Sequence, residues 1–174
     1  MWLSSVALAG AGTNGCTQQD LNIHTATNPA ASFEQYRTFS FGPAEGPPSG
    51  YQTSARVAEV RRRVLPLIAA VLTVKGYARA EGKGDFFVMY GSGTREVSLR
   101  DVSSASQEWL PDDESQDFVE GSLVVDAFES SSGVRIWHGA SRAQIDPDHI
   151  DDALLGRAVT HLLASFPSAA GRTE

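Results

Sequence analysis

Apolar residues recur at two different periods along this chain, and the change of period divides it into elements. Between 57 and 72 the apolar positions are Val57, Val60, Val64, Leu67, Ile68, Val71 and Leu72. This three-to-four spacing paints one stripe on a helix. Arg56, Glu59 and the run Arg61-Arg62-Arg63 fall mostly off the stripe and read as a solvated face. Pro66 lacks the backbone donor that a helix interior needs, so it is expected to kink or split the helix. Lys75-Gly76 is a stop signal, a cation followed by the residue that tolerates positive φ. A second stripe of Ile150, Leu154, Leu155, Ala158, Val159, Leu162 and Leu163 predicts another helix, closed by Phe166-Pro167. Asp148 is its expected N-cap, with Asp151 and Asp152 favourable in the first turn.

Elsewhere the period is two. Leu21, Ile23 and Thr25 alternate against Asn22 and His24 and predict a strand over 21–27. Phe39 and Phe41 share one face of a second strand over 38–41, and Phe33 and Tyr36 read as anchors on the turn between them. The Pro- and Gly-rich stretch 42–50 has no period and is a loop. Residues 85–90 form a strand by their aromatic and β-branched content, open to continuation as far as Val102. The clearest hairpin joins residues 118–129 to 134–145 through Ser130-Ser131-Ser132-Gly133. Leu123, Val125 and Ile136 are its expected core positions, and Trp137 reads as a structural strand residue. Residues 103–117, rich in Ser, Asp and Glu, read as a long surface loop around Trp109-Leu110-Pro111.

Strand, strand, helix, strands, helix, joined mostly by short connections, defines an α+β fold. The expected architecture is two-layer, a mainly antiparallel sheet with two amphipathic helices on one face. Its 174 residues suit one domain over 21–167 with a flexible tail at 168–174. Asp and Glu number 21 against 14 Lys and Arg, a net charge of -7 that argues against nucleic acid as a partner. No apolar run approaches the roughly 20 residues of a membrane-spanning helix. One cysteine excludes an intrachain disulfide and a cysteine-based zinc cluster.

That cysteine, Cys16, closes a stretch with no charged side chain before Asp20. Short, apolar and ending in small residues, residues 1–16 have the form of an export signal. A lipoprotein-type signal, with Cys16 acylated as the new N-terminus and 17–20 as a tether, explains the lone cysteine. A cleaved secretory signal and a frayed apolar N-terminus with an incidental Cys16 are the alternatives. The missing Lys or Arg near Met1 points to a start further upstream, and Thr13 stands where such signals usually carry an aliphatic residue.

Three blocks stand in a fixed order. The first is a strand followed by Phe33-x-x-Tyr36-x-Thr38-Phe39. The second is a helix ending in Lys75-Gly76-Tyr77, with a strand led by Asp85 after it. The third is Glu120-Gly121-x-Leu123-Val124-Val125-Asp126, a turn, then Trp137-x-Gly139, with a helix leading to Phe166-Pro167. Together they resemble the domain-of-unknown-function 4136 family of bacterial lipoproteins, and the resemblance spans about 21–167. It departs from the pattern at Glu129, where Asp is usual before the turn, and at Ser168, where a second Pro is common. It implies a lipid anchor on Cys16 and an envelope location, with Thr17 rather than Asp after the cysteine fitting the outer membrane. It implies no catalytic residue.

Candidate chemistry is sparse. Asp146, Asp148, His149, Asp151 and Asp152 form the densest polar cluster, but a helix start explains these aspartates without a cation. The histidines His24, His138, His149 and His161 show no zinc spacing, and His138 reads as a packed or surface residue. Gly-x-Ser-x-Gly is absent, and Gly82-Lys83-Gly84-Asp85 and Gly91-Ser92-Gly93 read as turns. The expectation is therefore a non-enzymatic, lipid-anchored envelope domain without metal or cofactor that binds an envelope partner or supports an assembly. Trp109, Leu110, Asp112, Asp113 and Glu114 are its candidate contact residues. The alternative is a periplasmic module for a small ligand or glycan. With a complete signal in place, Cys16→Ser is expected to move the protein from the membrane to the soluble fraction. Identical fractionation of both proteins as soluble material would refute the anchor.

Overall fold

The computed structural model describes residues 21–97 and 118–169. β1 (Asn22–Thr27) leaves Ile23 and Thr25 half-buried and Asn22 and His24 exposed, as its alternation requires. A single 3-10 turn at Phe33–Gln35 then buries Phe33 and Tyr36. β2 (Thr38–Phe41) follows, with Phe39 in the core. α1 (Val57–Val74) buries Val64, Ile68 and Leu72. It is not split at Pro66, which lies on the exposed side while the buried stripe continues above and below it. Packing on both sides of the proline outweighs the one lost helical hydrogen bond.

α1 stops as its Lys75-Gly76 signal predicts. The Tyr77 N–H donates to the Leu72 carbonyl at 3.1 Å and the Gly76 N–H to Thr73 at 3.0 Å. This paired closure needs a left-handed residue, and Gly76 has φ +96°. Tyr77 is thereby turned into the core. β3 (Ala78–Arg79) comes next, a two-residue strand too short to show a period in the sequence. β4 (Phe86–Val97) is continuous, so Gly91-Ser92-Gly93 is strand and not turn. Its pairing with β5 (Phe118–Glu129) sets Gly91 opposite Val124 and Gly93 opposite Ser122. β6 (Arg135–Ile145) and α2 (Asp152–Ala164) complete the order.

The six strands lie in the order β1-β6-β5-β4-β2-β3. β1–β6, β6–β5 and β5–β4 are antiparallel, while β2 is parallel to both β4 and β3. The sheet is mostly antiparallel, as expected. The parallel pairs arise because the chain returns from β2 through α1, a crossover that restores its direction.

The β5–β6 hairpin is not regular. Phe128 faces Arg135, but Ala127 faces Trp137, so Ile136 is an extra residue on β6. Ile136 and Trp137 are consecutive yet both buried, at 2% and 1% exposure. Strict alternation had placed them on opposite faces; the bulge overrides it. The Trp137 indole lies along its own strand above Gly139. A Cβ at 139 would stand inside the contact radius of that ring and of Leu162 Cδ1. This is the physical content of the Trp-x-Gly pair.

Val64, Ile68 and Leu72 of α1, Val159, Leu162 and Leu163 of α2, and Val88, Tyr90, Leu123, Val125 and Ala127 of the sheet share one hydrophobic cluster. The expected core positions Leu123, Val125 and Ile136 all belong to it. α2 begins later than its sequence indicated. Asp151, not Asp148, is the N-cap, its Oδ1 accepting from the Ala153 and Leu154 N–H groups at 2.8 and 3.0 Å. Asp148 instead donates its own N–H to Asp146 Oδ1 at 2.8 Å, closing a turn ahead of the helix. At the other end the Ala169 N–H donates to the Lys75 carbonyl at 2.9 Å, and Ala169 is buried. Packing thus reaches two residues beyond Pro167.

Asp85 ties the start of β2 to β4. Its Oδ2 accepts from the Arg37 N–H, the Thr38 N–H and the Thr38 hydroxyl at 2.8, 2.8 and 2.9 Å. The backbone donors, Arg37 first, hold its pKa below the ordinary aspartate range.

Two outcomes follow for melting experiments. Gly139→Ala forces the Trp137 ring from its place and is expected to cost about 2 kcal/mol, a fall in Tm of roughly 4–8 °C. An unchanged melt would mean that the indole can move aside freely. Asp85 carries a depressed folded pKa, so its contribution is complete above the unfolded value near 3.8 and vanishes as pH falls through the folded one. Asp85→Asn is therefore expected to lower stability by about 1 kcal/mol at pH 7, discounted for exposure, with the gap to wild type closing toward pH 3.

Candidate functional site

Two places in the fold gather side chains beyond what the core requires. The first lies on the sheet face opposite the hydrophobic cluster. The bulge in β6 shifts the pairing by one residue and so sets His138 directly across from Asp126. His138 Nδ1 is 2.8 Å from Asp126 Oδ1, and Arg135 Nη1 reaches the same oxygen at 3.3 Å. Asp126 is 5% exposed, a buried carboxylate held by two basic side chains. The Glu45 side chain as a whole is exposed, yet loss of water around its carboxyl and then repulsion from Asp126 raise its pKa. Nearer the far end of β4, Tyr51 donates its hydroxyl to Glu120. Arg95 Nε contacts the same Glu120 oxygen at 2.9 Å, and its guanidinium lies 5.0 Å from the Tyr51 ring centre. These pairs pin the 42–52 loop over the sheet. Among the described residues the side-chain hydrogen bond of His138 is to Asp126.

The second place is a cavity of about 260 Å³ at the end of the sheet nearest the N-termini of both helices. Its floor explains its existence. Ser92, Leu123 and Ser141 lie side by side on neighbouring strands, and Thr94, Gly121 and Ala143 form the next row outward. Apart from Leu123 these rows carry small side chains, which leaves space where the core rows carry Phe86, Tyr90 and Trp137. Val60 of α1 and Leu154, Leu155 and Ala158 of α2 line the cavity from the helices. The Ser92 hydroxyl at the inner end is out of reach of water and has no hydrogen-bond partner among the described residues.

Polar links hold the helices together beside this cavity. Arg63 pairs with Glu59 on its own helix at 2.6 Å and with Asp152 at the start of α2. Arg56 donates to the Asp148 carbonyl. The basic run is thus divided: Arg61 and Arg62 are exposed, whereas Arg63 is a bridge.

The aspartate cluster of 146–152 is accounted for by these roles. Asp151 caps, Asp146 closes a turn and Asp152 pairs with Arg63. Among the described residues no group of three or more His, Cys, Asp or Glu side chains is placed to hold a metal ion. Cys16, Trp109, Leu110, Asp112, Asp113 and Glu114 all lie outside the described residues.

A family model described as a domain of unknown function (DUF4136) matches residues 23–168. The chain belongs to the DUF4136 family. Among solved structures, the fold is similar to a PDZ domain protein from Parabacteroides distasonis, at 13% identity and a TM-score of 0.60. That likeness covers 89% of this chain and 38% of the other. A DUF4136 family protein from Bacteroides thetaiotaomicron is similar at 13% identity and a TM-score of 0.48, over 83% of this chain and 94% of its own. The PelC dodecamer from Paraburkholderia phytofirmans matches at 10% identity and a TM-score of 0.49, over 86% and 99%. No curated protein matches the sequence.

The aromatic residues of the DUF4136 motif blocks belong to its core rather than to the cavity. Phe33, Tyr36, Phe39, Tyr77, Trp137 and Phe166 are all buried there. Of the cavity floor, Gly121 and Leu123 fall in the third block, while Ser92, Ser141 and Ala143 fall in none. The sequence did carry a sign of the cavity: small residues at alternate positions of two strands, Ser92 and Thr94 on β4 and Gly139, Ser141 and Ala143 on β6.

Proposed function

We propose that this DUF4136 domain is a non-catalytic ligand-binding module of the bacterial cell envelope, anchored through a lipid on Cys16, with the cavity at the helix N-termini as its binding site. The proposal takes the fold as two layers, both helices over one sheet face, with the cavity between the layers where small residues thin the packing.

The cavity itself carries the proposal. Small-molecule sites are concave, mostly apolar and marked by a few polar groups. An apolar cavity of about 150 Å³ suffices for benzene, and this one is larger, at about 260 Å³. A docking surface for a protein would instead present a contiguous apolar patch. Among the described residues the exposed large apolar side chains are Val57, Val74 and Val134, which belong to the two ends of α1 and to the hairpin turn. The cavity itself favours the small-ligand alternative over partner capture.

The test uses the purified domain and the neutral fluorophore N-phenyl-1-naphthylamine. Wild type is expected to enhance its fluorescence saturably. Ala143→Phe, which places a ring on the cavity floor, is expected to reduce that affinity at least tenfold while retaining a cooperative melt. Uptake that is equal in the two proteins would exclude the cavity as the site.

A further inference from the structure

We infer that the cavity selects a neutral amphiphile, an apolar chain or ring system carrying one hydrogen-bonding oxygen that docks on Ser92. The inference rests on the cavity being the binding site. Three observations lead from the site to this chemistry.

The inner row of the floor, Ser92, Leu123 and Ser141, adjoins the row of Tyr90 and Val125, and Leu123 belongs both to the cavity lining and to the hydrophobic cluster. Apolar surface is what such a lining rewards.

The Ser92 hydroxyl at that end is buried and has no hydrogen-bond partner among the described residues. A hidden hydroxyl left unpaired lowers the stability of the ligand-free fold, and buried polar groups in native proteins are nearly always satisfied. A serine side chain swings about one torsion, so its hydroxyl reaches the cavity by a change of rotamer. A ligand oxygen that accepts from it, or donates to it, supplies the missing bond.

The third observation is the sign of the charges. Among the described lining residues the basic side chains are Arg56 and His149, both beside the start of α2. Arg56 is already engaged by Glu59 and the Asp148 carbonyl. No cation stands at the inner end, and a carboxylate or phosphate placed there would lose its water without compensation. The docked oxygen is therefore a hydroxyl or a carbonyl, not an anion.

Displacement of bound N-phenyl-1-naphthylamine by 1-decanol and by decanoate at pH 7 tests the inference. 1-Decanol is expected to displace the fluorophore at lower concentration than decanoate. Ser92→Ala is expected to weaken 1-decanol about fivefold, the loss of one neutral hydrogen bond. The same substitution should raise the Tm of the ligand-free domain by about 2–4 °C, since it removes an unpaired buried hydroxyl. A residue that merely filled space would not couple a stability gain to a binding loss. Decanoate competing as well as 1-decanol, or 1-decanol affinity unchanged in Ser92→Ala, overturns the ligand class and leaves the cavity as a binding site. Fluorophore uptake that Ala143→Phe does not reduce overturns the site, and the ligand class with it.

Discussion

Phe86 opens β4 in the middle of the chain and Phe166 follows α2 near its end, and their rings lie 5.7 Å apart within the hydrophobic cluster. Phe86 also meets Tyr36, Phe39 and Tyr77, and Phe166 meets Phe33, Tyr77 and Trp137. Seven rings thus join β2, β4, β6 and the segments that leave the two helices. Each well-placed ring pair adds about 0.5–1.5 kcal/mol beyond the area it buries. Tyr77 stands in this cluster because Gly76 ends α1 in a left-handed turn, and its hydroxyl donates to the Pro167 carbonyl at 3.0 Å. The register of the sheet, the ends of both helices and the position of the C-terminal segment all depend on this cluster.

The packing is consequently uneven. Where the helices end, aromatic rings fill the space between helix and sheet. Where they begin, Ser92, Thr94, Gly121, Ser141 and Ala143 surround Leu123 on the floor, and Arg63–Asp152 and Arg56–Asp148 link the helices beside the apolar Val60, Leu154 and Leu155. Exposed ion pairs restrain direction more than they stabilise. One end of the domain is filled by aromatic rings and the other leaves a cavity beside polar links between the helices.

Much of the frame was legible in the sequence because it follows from period. The stripes of α1 and α2, the alternation of β2 and the hairpin with Leu123 and Val125 inward are all present as expected. What escaped was everything that breaks a period or depends on distant pairing. The bulge at Ile136 moved Trp137 into the core and paired His138 with Asp126, and a bulge leaves no mark on composition. β3 is two residues long. Asp148 and Asp151 are both good caps, and only tertiary packing chose the second. Pro66 was tolerated because it lies on the exposed side of a helix whose stripe is buried above and below it. The cavity required knowing that small residues on β4, β5 and β6 fall in adjacent rows, which is a matter of register and not of spacing along one strand.

The uneven packing has a mechanical consequence. Proteins unfold under hydrostatic pressure because unfolding eliminates internal voids and so shrinks the system. Pressure acts on every part of the domain alike, but the described void lies at one end, away from the ring cluster. Its share of the volume change therefore belongs to the cavity end. A molecule occupying the space removes much of that volume change. Occupancy therefore makes the domain less compressible, stiffening its open end without altering the contacts that define the fold.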